Sequence, residues 1–249
     1  MAENAIRDQF KDVLRHTHSL GIFDMVKIVG TDKETIIETV DAEKSVILKG
    51  KTHKPVADFA NGTVGLSRMS VLDGFIKVFD QAEDTVQVEL TERNGVTVPT
   101  EVEFLREDGT NANYRFMMAD VVNQQLKDIN FKGATYDINI APSQKNLKDL
   151  TQFNGILGAF EGTFSPRTHD GKLYFYIGDN GGDRTKILIS EVPGGKMTHE
   201  FKWPLDIVLK ILRLGDNANI SMSFNVKGLL QIKIDSGMSE YTYLLPAKG

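Results

Sequence analysis

The chain has 249 residues, 41% of them hydrophobic, with no cysteine and a formal net charge of -5, so it can bury one large core or two of average size. The absence of cysteine excludes disulfides, thiolate metal sites and cysteine nucleophiles, and the acidic total argues against indiscriminate nucleic-acid binding, so any DNA contact must come from a local basic surface. No apolar run approaches the ~20 residues that span a bilayer, and MAENAIRDQF lacks the apolar centre of a signal peptide; the expectation is a soluble cytoplasmic protein, in the host cytoplasm if viral and in the nucleus only if eukaryotic, with no membrane partner.

Four segments carry helical periodicity, and the rest alternates with period two between Gly, Asn and Asp turns. Helix one is predicted from about Asn4 to Thr17, with Ile6, Phe10, Val13 and Leu14 on one face. The strands FDMVKIVG and TIIETVD follow. Helix two is predicted from about Ser70 to Phe79 over Leu72, Phe75, Ile76 and Phe79, with Ser70 and Asp73 in capping-box spacing. Next come the strand QAEDTVQVEL, an enlarged hairpin at Thr97 to Glu101 and the strand NYRFMM. The segment ADVVNQQLKDINFKG reads either as a short helix through Val121, Val122, Leu126 and Ile129 or as an extended connector.

After the strand TYDINI, helix three starts beyond Pro142 and uses Leu147, Leu150 and either Ile156 or Leu157. KLYFYIG and TKILISEV are its strands. Helix four starts at Pro204, a residue suited to a first helical turn, and uses Leu205, Val208, Leu209 and Leu212. ANISMSFNV, LLQIKID and SEYTYLLPAK close the series through turns at Lys227-Gly228 and Ser236-Gly237; Asn94-Gly95, Asp108-Gly109 and Asn180-Gly181-Gly182 are further turn signals. The pattern is helix, strands, helix, strands, written twice. It divides the chain into a first domain over 1–118, a connector over 119–135 and a second domain over 136–249.

Basic residues recur on these helices. Arg7, Lys11, Arg15 and His18 form a stripe on helix one, Lys77 lies on helix two, Lys145 and Lys148 on helix three, and Lys210 and Arg213 on helix four. Amphipathic helices also present charge merely to solvent, and Asp8, Asp12, Asp73, Asp149 and Asp206 share these helices, Asp206 four residues before Lys210. The stripe on one helix therefore decides nothing; its recurrence in a duplicated pattern carries more weight.

Catalytic constellations are poor. His16 and His18, two apart on a helix, point to different sides and cannot share a metal, and His53, His169 and His199 stand apart. GDNGGD at 178–183 resembles a calcium loop but lacks the closing Glu and the spacing, and PGGKMT at 193–198 has Met197 where a phosphate-binding loop needs Ser or Thr, so both read as turns. Trp203, just before a Pro-started helix, reads as a packing anchor.

The run from Trp203 to Lys248, a helix opened by Trp203 and Pro204 and then three alternating strands ending in Tyr243, Leu244, Leu245 and Pro246, resembles the C-terminal end of ring-shaped DNA sliding clamps of the two-domain type. That type is represented by proliferating cell nuclear antigen and the clamps of T4-like bacteriophages. The resemblance implies an α+β fold, two similar domains of antiparallel sheets with helices on one face, assembled head to tail into a homotrimeric ring. It implies a non-enzymatic processivity factor without cofactor or metal, encircling double-stranded DNA without reading sequence, with a DNA polymerase and a clamp loader ATPase as partners.

On that resemblance Arg7, Lys11, Arg15, Lys77, Lys145, Lys148, Lys210 and Arg213 face phosphates in the central hole. Tyr243, Leu245 and Pro246, with Leu126 and Ile129 of the connector, line the partner pocket. The strands Asn113 to Met118 and Thr185 to Ser190 are the expected joining edges. The chain departs from the family in having no clear strand before helix one, and the weaker likeness of its first half to cellular forms points to a bacteriophage. Two readings from other classes stand beside it: a ring- or tube-forming structural protein without DNA, and a hydrolase with an unrecognised carboxylate pair.

Overall fold

The computed structural model describes residues 5–60, 62–93, 95–127, 133–178, 181–215 and 219–247. They form two units, the first from 1–130 with 236–241 and the second from 131–235 with 242–249. Unit 1 runs α1 (Ala5–His16), β1 (Val26–Gly30), β2 (Thr35–Val40), β3 (Ile47–Thr52), β4 (Gly62–Leu66), α2 (Met69–Val78), β5 (Thr85–Arg93), β6 (Val96–Leu105), β7 (Asn111–Arg115) and α3 (Ala119–Gln125). Unit 2 contains β8 (Ile138–Ile140), α4 (Gln144–Leu157), β9 (Thr163–His169), β10 (Lys172–Ile177), β11 (Thr185–Glu191), β12 (Trp203–Pro204), α5 (Leu205–Leu212), β13 (Ile220–Phe224) and β14 (Leu229–Asp235). The last strand, β15 (Ser239–Pro246), begins in unit 1 and ends in unit 2.

The duplication read from periodicity is a duplication of topology. In unit 1 the strands between the two long helices lie in the order β4-β1-β2-β3; in unit 2 the corresponding order is β12-β9-β10-β11. Each time, the strand that enters the second helix pairs antiparallel with the strand that leaves the first. A three-stranded meander then follows, β5-β6-β7 after α2 and β13-β14-β15 after α5, with β8 added beside β13.

The helices form where an apolar stripe meets a sheet. Ile6, Phe10, Val13 and Leu14 of α1 are buried, as are Leu205, Val208, Leu209 and Leu212 of α5, joined there by Ile211. In α4 the side chains of Ser143 and Asn146 form the reciprocal capping box: Asn146 N–H donates to Ser143 Oγ at 3.1 Å and Ser143 N–H donates to Asn146 Oδ1 at 2.8 Å. Of the two alternatives at its end, Leu157 is the buried residue and Ile156 points outward.

The capping box expected at Ser70 and Asp73 does not form. Helix α2 begins at Met69, after Arg68 in a left-handed conformation, so Ser70 is already inside the first turn, and Asp73 pairs with Lys77 instead. Pro204 stands one position earlier than expected, as the N-cap of α5, because it still pairs with Thr163 in the sheet.

Strand patterning follows from half-burial: β2 and β10 alternate between buried and half-buried residues along their whole length. The enlarged hairpin is a long β5–β6 ribbon with a register shift between Glu89 and Leu90, where Leu90 faces Pro99. The segment with two readings is helical over α3, where Val122 is buried and packs on β4 beside Gly65. A close backbone approach explains Gly30: a Cβ there would lie 2.0 Å from the carbonyl oxygen of Phe59.

Trp203 is fully buried and contacts Phe164, Phe201 and Phe224, and its indole N–H donates to the carbonyl of Leu245 at 2.8 Å. It is the anchor expected of it. In unit 1 a second buried cluster joins α1 to residues 236–241. Asp12 accepts from the Tyr241 hydroxyl at 2.8 Å and from Ser236 Oγ at 3.0 Å, and the His16 ring stacks on the Tyr241 ring at 4.0 Å.

Candidate nucleic-acid interface

Unit 1 brings α1 and α2 together, and the charges between them sort into two kinds. Arg7 does not belong to the solvent face. It is 6% exposed, and its Nη1 donates to the carbonyls of Phe79 at 3.2 Å and Gln81 at 2.8 Å, satisfying acceptors where α2 ends. The reason is geometric. On a helix of 3.6 residues per turn a stripe of spacing four drifts by about 40° at each step, so Arg7 falls next to the apolar face while Lys11 and Arg15 swing out to solvent.

Lys11 pairs with Asp80, whose carboxyl it holds below the usual range through a hydrogen bond and its charge. Lys77 pairs with Asp73 within its own helix. Lys11, Leu14, Arg15, His18, Asp73 and Lys77 are among the residues lining a groove of about 430 Å³.

Unit 2 repeats the arrangement with α4 and α5. Lys145 pairs with Asp149 and Lys210 with Asp206, both at i,i+4. Lys148 is exposed, and Arg213 donates from Nη2 to Thr151 Oγ1 at 3.2 Å, tying the end of α5 to α4. Exposed Lys–Asp pairs of this kind contribute only about 0.3–0.5 kcal/mol. Such a lysine exchanges its carboxylate for a phosphate at little cost.

Of the eight expected DNA contacts, seven therefore lie on two outward helix faces, four of them within ion pairs, and Arg7 is structural. Sequence spacing had revealed only the Asp206–Lys210 pair. The same i,i+4 test would have found Asp73–Lys77 and Lys145–Asp149, but nothing local signals Lys11–Asp80, which are 69 residues apart.

The expected partner ledge is not on the surface. Tyr243 and Leu245 are fully buried, because β15 is covered on both of its faces from Tyr243 to Leu245, and Leu126 is 4% exposed. Pro246 is exposed, and Ile129 lies outside the described residues. Both expected joining strands do end a sheet: β7 is an edge of β5-β6-β7, and β11 is an edge of the sheet with β10, β9 and β12. The first stops at Arg115, and Met117 bridges to Gly65. Among the described residues no group of three His, Asp or Glu side chains is placed to hold a metal ion.

Two copies of one α–ββββ–α–βββ unit with the same strand order define the fold class of the DNA sliding clamps. The solved structures that share it include proliferating cell nuclear antigen (PCNA) of A. fulgidus bound to the C-terminal region of FEN-1, with a TM-score of 0.70 at 11% identity over 98% of this chain and 96% of that one. PCNA of Thermococcus kodakaraensis gives 0.69 at 14% identity, over 97% of each chain, and PCNA of Entamoeba histolytica gives 0.63 at 8% identity, over 98% and 95%. No protein-family profile and no curated protein matches the chain. At such identities the likeness is one of fold.

Proposed function

We propose that the chain is a DNA sliding clamp, a non-enzymatic processivity factor that holds a replicative polymerase on duplex DNA. The observation that carries this reading is the internal duplication, which runs through the whole chain and superimposes on PCNA structures over nearly its full length. A protein that must hold DNA and still move along it needs a shallow energy landscape. Its contacts should be to phosphates rather than base edges. Lysines on outward helix faces, four of them only loosely engaged by a neighbouring carboxylate, suit that demand.

Two-repeat chains complete a six-unit ring with three copies. The edge strands β7 and β11 supply a head-to-tail joint, a heterologous contact that closes when the rotation per copy is right. The polymerase and a clamp loader ATPase are the partners of such a ring, and among the described members of the expected docking set Pro246 reaches the surface. A bacteriophage source fits the distant identities.

The test is topological. Protein loaded on nicked circular duplex should co-purify with it and be released when the circle is cut once with a restriction enzyme. Light scattering should give about three times the 27.7 kDa chain mass at high micromolar concentration. Retention that survives linearisation, or a strict monomer at that concentration, sinks the proposal.

A further inference from the structure

Unit 2 holds a second concentration of polar groups that the helix faces do not use. It lies over β9 and β10, on the side opposite the buried Leu173, Phe175 and Ile177. Period two places Ser165 and Arg167 on one face of β9, and the antiparallel register sets Tyr176 opposite Ser165 and Tyr174 opposite Arg167. Glu200 and Lys202, from the segment before β12, and Arg184, just before β11, complete a hollow of about 300 Å³.

Two atoms of its lining residues are unusual. Ser165 Oγ and Arg167 Nε are shielded from solvent and have no hydrogen-bond partner among the described residues, and Ser165 is 3% exposed. The rest of the Arg167 guanidinium is fixed: Nη1 meets Glu200 Oε1 at 3.0 Å, and its central carbon sits 4.9 Å from the centroid of the Tyr176 ring. A buried polar atom without a partner is costly and rare, so two in one hollow call for a third party that accepts from both.

The hollow's charges describe that party. Among the described residues that line it, Arg167, Arg184 and Lys202 stand against Glu161 and Glu200, an excess of one positive charge. Both orphaned groups can donate, Arg Nε only so. A ligand made solely of acceptor oxygens and carrying negative charge satisfies them, and a phosphate, with about -1.5 to -2 charges near neutral pH, does so with oxygens in several directions.

We propose that the hollow over β9 and β10 is a binding site for a phosphate group, free or as a small phosphomonoester, held by Ser165 Oγ and Arg167 Nε at its floor and by Arg184 and Lys202 at its rim. Glu200, exposed and already on Arg167, competes with the ligand. The site lies apart from the helix faces and does not depend on the clamp reading.

Titration of the full 15N-labelled chain, with inorganic phosphate in one arm and glycerol 3-phosphate in the other, tests it at ionic strength held constant with chloride. Saturable shifts should appear at the amides of Ser165, Tyr176 and Gly178, with half-saturation below about 10 mM. Lys202→Gln, at an exposed position that cannot unfold the sheet, should weaken binding at least about fivefold, and Glu200→Gln should strengthen it. Ser165→Ala should weaken binding without lowering the melting temperature. Saturation in the phosphate arm alone identifies free phosphate; tighter binding of the ester identifies a phosphorylated metabolite. Shifts that grow linearly without saturating in both arms, or saturation unchanged in both Lys202→Gln and Ser165→Ala, overturn the proposal.

Discussion

Trp203 and Leu245 are 42 residues apart and joined by one hydrogen bond, from the indole N–H to a main-chain carbonyl in the most buried stretch of β15. The donor is the only tryptophan of the chain. Replacing it by Phe keeps an aromatic ring among Phe164, Phe201 and Phe224 but strands that carbonyl and leaves a void. Trp203→Phe should cost about 2–4 kcal/mol in urea denaturation, and a change under about 1 kcal/mol would show that the anchor is redundant.

Arg7 and Lys11 are neighbours on one stripe with opposite duties. Arg7→Ala removes two charge-assisted bonds to the carbonyls of Phe79 and Gln81 and should lower stability by about 2–3 kcal/mol. Lys11→Ala loses an exposed ion pair and should stay within about 0.5 kcal/mol. Equal effects from the two substitutions would contradict the division between a structural and a surface cation.

His16 sets a pH dependence whose direction follows from burial. Desolvation, reinforced by the charge of Arg15, lowers its pKa from 6.5 to about 3. Between those values the unfolded chain binds the proton and the folded chain does not, so this contribution is complete above pH 6.5 and is lost as the pH falls from there toward 3. Asp12, raised by burial against the opposing pull of Tyr241 and Ser236, acts the other way: the fold gains stability as the pH drops through its folded pKa. Unfolding free energy should therefore decline on acidification from pH 7 to 5 with a slope no steeper than about 1.4 kcal/mol per unit. His16→Phe, which keeps the stacking on Tyr241, should flatten that slope; an unaltered profile would assign it to other groups.

Gly30 has no room for a side chain. Gly30→Ala would set a methyl group 2.0 Å from the carbonyl oxygen of Phe59, and because backbone yields less readily than a side chain, the cost should reach about 3 kcal/mol or more. A thermal midpoint within a degree of the parent would show that the β1 backbone moves freely at this point.

On DNA, single replacements among Lys11, Arg15, Lys77, Lys145, Lys148, Lys210 and Arg213 should do little, each contact being one salt-screened increment. Replacing all seven by Ala should weaken retention on circular duplex uniformly across sequences and flatten its salt dependence. If the sevenfold variant still folds and assembles yet is retained like the parent at every salt concentration, these helix faces are merely solvated.

What sequence reveals here is what depends on neighbours along the chain. The apolar stripes of α1, α4 and α5, the period-two strands and the duplication were legible because each is written within a window of a few turns. The Ser70 capping box failed because two residues of boundary error move a side chain from cap to the inside of the first turn, and Ser143 with Asn146 escaped notice because Asn stood where Glu or Gln is usual. Arg7 was misassigned for a subtler reason: equal spacing is not equal direction on a helix of 3.6 residues per turn. Tyr243 and Leu245 were read as a ledge because a strand covered on one face and a strand covered on both share the same apolar letters; only packing separates them.

The cluster that ties Asp12 and His16 to Ser236 and Tyr241 means that unit 1 is assembled from two stretches that lie far apart along the chain. A ribosome that has delivered α1 through α3 has made nearly all of that unit, yet the buried carboxylate and imidazole must wait for more than a hundred further residues before their partners emerge. At synthesis rates of about 5–20 residues per second that interval is several seconds, during which α1 holds a half-built polar core. Unit 1 closes only after most of unit 2 has been made.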